Sequence, residues 1–346
     1  MKAVLYHRSG GPEVLTYTDV ADPEPGPSDV VIRVAATCVN RLDVIQRNGW
    51  FHLEGFTFPH ISGMDIAGTV EAVGSSVTAV SAGDRVVVDP SLAGVPEDSK
   101  LAGVGDLYGN LGVIGATADG GYAELCLVPS THVHPVPDAV SLVHAAAFPT
   151  TWMTAAHALF DTGELTAGES VLIHAAGSGV ATAAIQLAVD AGATVYVTAG
   201  TTAKCEKALE LGAAAGTENR QTDVAAWVRA QTDGRGVDMV FDFIGPALWE
   251  ASLNSLAIRG RLVNCGNTTG EEVTIPSLSH LYHMGLRILG SDGYRPGEFG
   301  PVWQKYLDGD FEVVIDSEYA LAEAGAAQER LLASEHFGKI VLRPGD

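Results

Sequence analysis

The chain has 346 residues, of which 47% are hydrophobic and 18% are charged, so the composition indicates a folded protein of about two domains. Lysine and arginine number 20 against 42 aspartates and glutamates, a formal net charge of -22. An acidic surface of this strength repels phosphate backbones and anionic lipids, so we expect neither a nucleic-acid partner nor a membrane partner.

The cysteines and the N-terminal residues indicate the cellular compartment. Four cysteines, at positions 38, 126, 205 and 265, show no paired spacing, which argues against a disulfide framework or a zinc ribbon. The opening residues MKAVLYHRSG lack the apolar core of a signal peptide, and we find no run of about 18 apolar residues. We therefore expect a soluble, cytoplasmic protein.

The texture of the chain changes along its length. Residues 1–128 contain short β runs such as DVVIRVAAT and DRVVVDP, separated by glycine and proline turns, which predict a β-rich, barrel-like unit. From about residue 152 to residue 284, apolar strands such as SVLIHAA and TVYVTAG alternate with helical patterns, as in βαβ units with a parallel sheet. The tail closes with GKIVLRP, so the fold class is α/β with one unit inserted in, or appended to, the other.

The segment SVLIHAAGSGVATAAIQLA, which begins at residue 170, predicts a dinucleotide site. An apolar strand runs into Gly177, Ser178 and Gly179, and Val180 begins a helical pattern. Glycine lets the backbone turn tightly and approach a pyrophosphate, while the helix directs its free N–H groups at that anion. A structural glycine turn is the alternative, but the strand and helix on either side favour the cofactor.

The end of the next strand, VTAGTTAKCEK, bears on the type of dinucleotide. An acid about 20 residues beyond the glycines usually holds the ribose hydroxyls of NAD, and no acid occurs between Val195 and Lys204. The residues that would leave room for a 2'-phosphate and donate to it are Gly200, Thr201, Thr202 and Lys204. These features favour NADP(H) over NAD(H), although Lys204 also suits a solvated position in the next helix.

Together the motifs resemble the medium-chain dehydrogenase/reductase superfamily, which includes zinc alcohol dehydrogenases and zinc-free quinone oxidoreductases. The matching stretches span the chain and include GGPEVL, FPHISGMDIAGTVEAVG, AGDRVVV, GGYAEL, AAAFPTTWMTAAHAL and FGKIVL. The resemblance implies a GroES-like catalytic domain (1–128 and 285–346), a Rossmann NADP(H)-binding domain (129–284), a substrate cleft between them, and a homodimer or homotetramer.

The resemblance also implies where metal ligands would lie. At the catalytic zinc positions this chain has Asn40, Met64 and Thr150, an amide, a thioether and a hydroxyl, whereas zinc prefers Cys, His or carboxylate. The four positions of the structural zinc lobe fall on Gly94, Glu97, Lys100 and Tyr108. We therefore predict no metal site, and a register slip that makes Cys38 a ligand is the minor alternative.

Without a metal, charge on the acceptor must be stabilised by hydrogen bonds, which suits quinones and α,β-unsaturated carbonyl compounds. The resemblance places Asn40 beside the nicotinamide and substrate, and we predict that an ion pair between Asp43 and Arg47 orders it. A purely structural role for Asn40 in a turn is the alternative. Positions that line the nicotinamide in the family fall on Thr154, Asn267 and Ser291.

The predicted function is therefore zinc-independent, NADPH-dependent reduction of an activated C=C bond or a quinone, a small-molecule substrate. The proposed catalytic residues are Asn40, Asp43 and Thr150. One alternative is a metal-free carbonyl reductase or alcohol dehydrogenase in which Asn40 or Thr150 polarises the carbonyl. The other is a non-catalytic protein that senses NADPH.

Overall fold

The computed structural model describes residues 1–104, 112–295 and 297–345. The chain divides into two compact units: residues 1–150, 296–304 and 313–346 form the first, and residues 151–295 and 305–312 form the second. Within the described ranges, the helices are all too short or too polar to cross a membrane.

The strands, in chain order, are β1 (Lys2–Leu5), β2 (Thr16–Asp19), β3 (Asp29–Cys38), β4 (Asp65–Val73), β5 (Arg85–Val88), β6 (Leu125–Pro129), β7 (Val133–Pro135), β8 (Ser170–Ile173), β9 (Thr194–Ala199), β10 (Ala215–Glu218), β11 (Val237–Asp242), β12 (Leu256–Asn264), β13 (Arg287–Gly290), β14 (Ile315–Ala320) and β15 (Lys339–Arg343).

The α-helices are α1 (Arg41–Asn48), α2 (Leu142–Ala146), α3 (Pro149–Ala156), α4 (Gly179–Asp190), α5 (Thr202–Glu210), α6 (Val224–Gln231), α7 (Trp249–Ser255), α8 (Leu278–Met284), α9 (Phe299–Asp308) and α10 (Ala324–Leu332). Single turns of 3-10 helix cover Pro12–Val14, Ser130–His132 and Leu321–Glu323, and a π-helix covers His157–Thr162.

The first unit is built on a mainly antiparallel sheet with the order β14-β15-β3-β4-β5-β7, and β6 also pairs with β3. Valine and isoleucine side chains of β3, β4, β5 and β6 fill one core of this unit. The last strand, β15, pairs antiparallel with the end of β3, and the Val39 amide donates to the Ile340 carbonyl at 2.9 Å. The C-terminal strand is thereby fixed next to the loop that follows β3.

The second unit contains a parallel sheet with the order β10-β9-β8-β11-β12-β13. The strand order reverses between β8 and β11, which is the arrangement of a doubly wound Rossmann sheet. Since parallel strands have their carboxyl ends at the same edge, the loops after these strands meet at one edge. The predicted α/β fold class, with a β-rich unit and a parallel-sheet unit, is confirmed.

The predicted domain boundaries, 128/129 and 284/285, differ from the units that the structure shows. Residues 129–150 lie in the first unit, because β7 pairs with β5. Residues 285–295 lie in the second unit, because β13 pairs with β12 and completes the parallel sheet. Strand pairing, rather than the change in sequence pattern, therefore determines where the two units begin and end.

Gly68 tests the packing of the first sheet. A Cβ atom on Gly68 would lie 2.0 Å from the backbone oxygen of Arg33 on the neighbouring strand, so Gly68→Ala must push two strands apart. We expect it to lower the free energy of unfolding by about 1 to 3 kcal/mol. The control is Gly325→Ala in α10, where the nearest atom to the new Cβ is 3.4 Å away.

Denaturant unfolding of both variants checks this expectation. Gly325→Ala should be neutral or should stabilise by up to about 1 kcal/mol, because alanine is the better helix former. Equal effects of the two substitutions would contradict the close approach of β3 and β4.

Candidate active site

Asp65 joins two of the residues that the sequence places in the site. It begins β4 and is fully buried. Its Oδ1 accepts the backbone N–H of Thr150 at 2.7 Å, and its Oδ2 accepts the Asn40 side-chain amide at 2.8 Å. The carboxylate therefore holds Asn40 and Thr150 although they are 110 positions apart in the sequence.

A lysine from the C-terminal strand completes this arrangement. The ammonium of Lys339 donates to Asp65 Oδ2 at 2.8 Å, to Asn40 Oδ1 at 2.7 Å and to the Val39 carbonyl at 3.3 Å. Burial opposes the charged form, but Asp65 and neighbouring acidic groups outweigh it, so the pKa of Lys339 is raised. Lys339 and Asp65 thus form a buried ion pair.

Asp43 fixes the backbone of the Asn40 loop. Its Oδ2 accepts the Asn40 backbone N–H at 2.8 Å and the Tyr122 hydroxyl at 3.1 Å. Asp43 is fully buried, so it positions Asn40 and has no surface with which to meet a substrate. Burial raises the pKa of Asp43 to about 7, and the hydrogen bonds from Asn40 and Tyr122 only partly oppose that shift.

The predicted ion pair between Asp43 and Arg47 is wrong. The Arg47 guanidinium donates to the Gly10 carbonyl, to Gln328 Oε1 and to Asn48 Oδ1. Asp43 and Arg47 both lie on α1, but their side chains contact different elements. Arg47 reaches Gln328 on α10, whereas Asp43 faces Tyr122. Asn40 is ordered by a backbone hydrogen bond and by Lys339 instead.

The hydroxyl of Thr150 is a polar group without a partner. Its oxygen is buried and has no hydrogen-bond partner among the residues that the structure describes. A buried hydroxyl without a hydrogen-bond partner lowers the folding stability by about 1 to 3 kcal/mol. A bound ligand that accepts a hydrogen bond from it would offset this loss. Asp65 therefore binds the Asn40 side chain and the Thr150 backbone, and the hydroxyl of Thr150 is a second candidate donor.

The side chains at the predicted metal positions do not fit zinc. The oxygen of the Asn40 amide already accepts a hydrogen bond from Lys339. Met64 is a buried thioether, and Thr150 offers a hydroxyl. Cys38 is fully buried, and burial raises the pKa of its thiol, whereas a zinc ligand must be a thiolate. The Lys339 ammonium would also repel a divalent ion at this position.

Three of the structural-lobe positions, Gly94, Glu97 and Lys100, are described, and Tyr108 lies outside the described residues. Lys100 donates its ammonium to the Glu24 carbonyl and its backbone N–H to Asp29. Gly94 adopts a positive φ of 68°. Neither Gly94 nor Lys100 therefore offers a zinc ligand.

In the second unit, the turn after β8 has the features of an anion site. The Ser178 side chain caps α4 by accepting the Ala181 N–H at 3.0 Å. The N–H groups of Gly179 and Val180 have no acceptor within the described ranges. Since these groups lie at the positive end of the helix dipole, they fit the pyrophosphate of a dinucleotide.

The end of β9 is less open to a phosphate than the sequence suggested. Space beside Gly200 is free, since an added Cβ would meet nothing within 4 Å. Thr201 caps α5 through its side chain. However, Thr202 donates its backbone N–H at 2.7 Å, and also its hydroxyl, to Glu218 Oε1, so both donors are already engaged.

The remaining predicted cofactor residues lie at the same edge of the parallel sheet or on α3. Lys204 is in the first turn of α5 and its backbone N–H reaches the Thr201 hydroxyl. Asn267 is exposed in the loop after β12, and Ser291 follows β13, with its N–H on the Asn264 carbonyl at 2.8 Å. Thr154 lies on α3 in the second unit.

Sequence reasoning missed Lys339 and Glu218 as members of these sites. Lys339 stands at the head of the otherwise apolar strand KIVL, and a charged residue in such a run is an indication of a buried pair. Glu218 comes from β10, whose register places it directly opposite Ala199 at the end of β9. That neighbour can be identified only when the strand order is known.

Comparisons with known proteins agree with both units. A model of the alcohol dehydrogenase GroES-like domain matches residues 26–138, and a model described as zinc-binding dehydrogenase matches residues 179–308. A quinone oxidoreductase of Pseudomonas aeruginosa is 32% identical over 351 aligned residues, which cover 99% of each chain.

Solved structures cover the chain equally well. The crystal structure of an NAD-dependent alcohol dehydrogenase has a TM-score of 0.92 at 36% identity and covers 100% of both chains. The structure of Escherichia coli quinone oxidoreductase complexed with NADPH has a TM-score of 0.82 at 27% identity and covers 99% of this chain and 100% of that one.

The raised pKa of Asp43 predicts a pH-dependent stability. Between about pH 4 and 7 the folded chain keeps a proton on Asp43 that the unfolded chain has released, so this carboxyl makes stability fall as the pH rises through that window. In Asp43→Asn the group no longer titrates. The unfolding free energy of the variant, relative to that of the native protein, should therefore increase by up to roughly 1.4 kcal/mol per pH unit.

Urea unfolding at several pH values measures this difference, with Asp238→Asn as the control. Burial opposes ionisation of Asp238, but hydrogen bonds from Arg235 and Ser170 lower its pKa to about 2. Asp238 is therefore ionised throughout the window, and the difference for its variant should stay constant. A constant difference for Asp43→Asn as well would mean that Asp43 is ionised in the folded protein.

Proposed function

Because this chain belongs to the medium-chain dehydrogenase/reductase superfamily and is an oxidoreductase, we propose that it reduces quinones or activated C=C bonds with NADPH and without zinc. The Pseudomonas aeruginosa relative is named a quinone oxidoreductase and matches over nearly the full length. The Escherichia coli quinone oxidoreductase structure of the same fold contains NADPH. Both support the reaction class.

The observation that carries the proposal is that Asp65 binds both the side-chain amide of Asn40 and the backbone N–H of Thr150. Asn40 and Thr150 fall where the family resemblance implies zinc ligands, and they present an amide N–H and a hydroxyl that has no partner among the described residues. Such groups stabilise negative charge that is spread over a conjugated acceptor. They are weaker than a Lewis acid for an isolated alkoxide, so conjugated acceptors suit this site better than simple aldehydes.

The chain's own residues bind and orient, and a bound nicotinamide supplies the hydride. The N–H groups of Gly179 and Val180, which have no acceptor among the described residues, would hold the pyrophosphate. Asn40 and Thr150 would donate to the acceptor oxygen, which gains electron density as the β-carbon accepts hydride. Asp43 and Asp65 accept hydrogen bonds from protein groups, namely from Asn40 and Tyr122 and from Asn40, Thr150 and Lys339, respectively. Their role is to keep Asn40 and Thr150 in place.

Removing the donors tests the reaction. Asn40→Ala should lower kcat for a quinone or an enone by about 100-fold, since loss of one preorganised donor typically costs that much. Thr150→Val should lower kcat by about 10-fold, because it removes one neutral hydrogen bond. The matched control is Thr150→Ser, which keeps the hydroxyl and should retain activity within about threefold.

The assay follows NADPH oxidation with a quinone, an enone and a simple aldehyde in parallel, with elemental analysis of the purified enzyme. Preference for the aldehyde would indicate a carbonyl reductase, and tight NADPH binding without turnover on any acceptor would indicate a sensor. One equivalent of bound zinc, with activity lost to a chelator and restored by zinc, would refute the zinc-free reaction.

Glu218 provides a test of cofactor choice. We propose NADP(H) because no acid follows β9 at the position that binds the ribose hydroxyls of NAD, yet Glu218 holds Thr202 and adds a negative charge there. Glu218→Gln should therefore lower the Kd for NADPH by about 3- to 10-fold and change the Kd for NADH by less than twofold.

Fluorescence titration with each dinucleotide gives these constants, and Glu210→Gln is the control. Glu210 ends α5 and is exposed, so its variant removes an equal charge from the helix that Thr202 begins, without removing the Glu218 contact. If both variants change NADPH affinity equally, net charge rather than the Glu218 contact determines the preference.

A further inference from the structure

Lys339 is the only lysine or arginine that the described hydrogen bonds connect to both Asn40 and Asp65. Its ammonium has three N–H groups, and three protein acceptors use them: the Val39 carbonyl, Asn40 Oδ1 and Asp65 Oδ2. The side chain is 5% exposed. The ammonium therefore has no proton left to offer an acceptor molecule, and any effect on the reaction must pass through its neighbours.

The two charged neighbours determine which way the Asn40 amide points. An ammonium can only donate and a carboxylate can only accept. The carbonyl oxygen of the amide therefore faces Lys339, and its NH2 group faces Asp65. A flipped amide would place NH2 against the ammonium and oxygen against the carboxylate, losing both charge-assisted bonds.

This orientation leaves one amide proton without an acceptor among the described residues. The NH2 group of Asn40 has two protons, and Asp65 accepts one of them. Asn40 is 7% exposed, so a small part of its surface remains open to a ligand. With Lys339 and Asp65 in place, the group at that surface is a donor and not the amide oxygen.

We propose that Lys339 is a positioning residue: a built-in cation that orients the Asn40 amide so that an N–H, rather than the oxygen, meets the substrate. The orientation of the Asn40 amide follows from the structure alone. Its effect on catalysis rests on the proposed function. The inference also assigns a role to the C-terminal strand, because β15 delivers the lysine to a loop 299 positions earlier in the chain.

The experiment compares Lys339→Met, Lys339→Arg and the surface control Lys2→Met. Lys2 pairs with Asp19 at a solvent-exposed site. In Lys339→Met the Asn40 amide is held by Asp65 alone, so kcat for the quinone or enone should fall at least 10-fold while KM for NADPH changes less than twofold. Lys339→Arg keeps the charge and should recover part of kcat, and Lys2→Met should leave kcat unchanged.

A second readout does not require turnover. In an NMR spectrum with labelled asparagine, the side-chain amide of Asn40, assigned by its loss in Asn40→Ser, should shift or broaden in Lys339→Met and stay near its native position in Lys339→Arg. An unchanged Asn40 resonance, or an unchanged kcat, in a folded Lys339→Met variant would overturn the inference.

The double variant Lys339→Met/Asp65→Asn is the control for loss of folding. It removes both charges, so its Tm should exceed that of Lys339→Met, which leaves a buried carboxylate without its counter-ion. The Asn40 resonance should stay perturbed. Recovery of the native resonance in the double variant would refute positioning by the ion pair. Failure of the native protein to turn over any acceptor would refute the proposed function, whereas the NMR result would still decide the orientation.

Discussion

The ion pair between Lys339 and Asp65, 2.8 Å long and buried on both sides, is the constraint on which the first unit's site depends. Each ion alone would lose several kcal/mol of hydration on burial, so both must be fully hydrogen-bonded. The acceptors and donors that satisfy them belong to the loop after β3, to β4, to the start of α3 and to β15. The site therefore forms only when the C-terminal strand has paired with β3, which couples the folding of this sheet to the geometry of Asn40.

The same pair explains why this position suits hydrogen-bond donors better than a metal ion. Asp65 already has one positive charge to balance it, and the second nearby carboxyl, Asp43, has its pKa raised to about 7 by burial. Near neutral pH the cluster thus has little excess negative charge with which to attract a divalent ion. The amide and hydroxyl of Asn40 and Thr150 replace the Lewis acid with neutral donors, whose strength depends on fixed orientation. Orientation is what the buried charges provide.

The sequence allowed us to predict site residues that lie in short local motifs. It did not allow us to predict contacts between residues that only strand pairing brings together. The glycine turn at Gly177 and the substitutions at Asn40 and Thr150 could be found because each lies in a local motif. The partner of Asp43 was predicted wrongly because a spacing of four on α1 suggested Arg47, whereas burial directs the two side chains to different elements. Lys339 lies within the family motif FGKIVL, but its contact with Asn40 depends on the β15–β3 register. The compact units of the structure differ from the predicted domain boundaries for the same reason.

The second unit shows how two similar helix termini acquire different roles at one sheet edge. Both α4 and α5 follow a parallel strand and begin with a hydroxyl cap, Ser178 or Thr201. At α4 the next N–H groups have no acceptor in the part of the chain that the structure describes, whereas at α5 the Thr202 N–H already binds the internal carboxylate of Glu218. The first terminus is suited to a pyrophosphate that every nicotinamide dinucleotide contains. At the second, a ribose phosphate must compete with Glu218, so selection between dinucleotides is decided by a residue of the neighbouring strand rather than by the strand that leads into the helix.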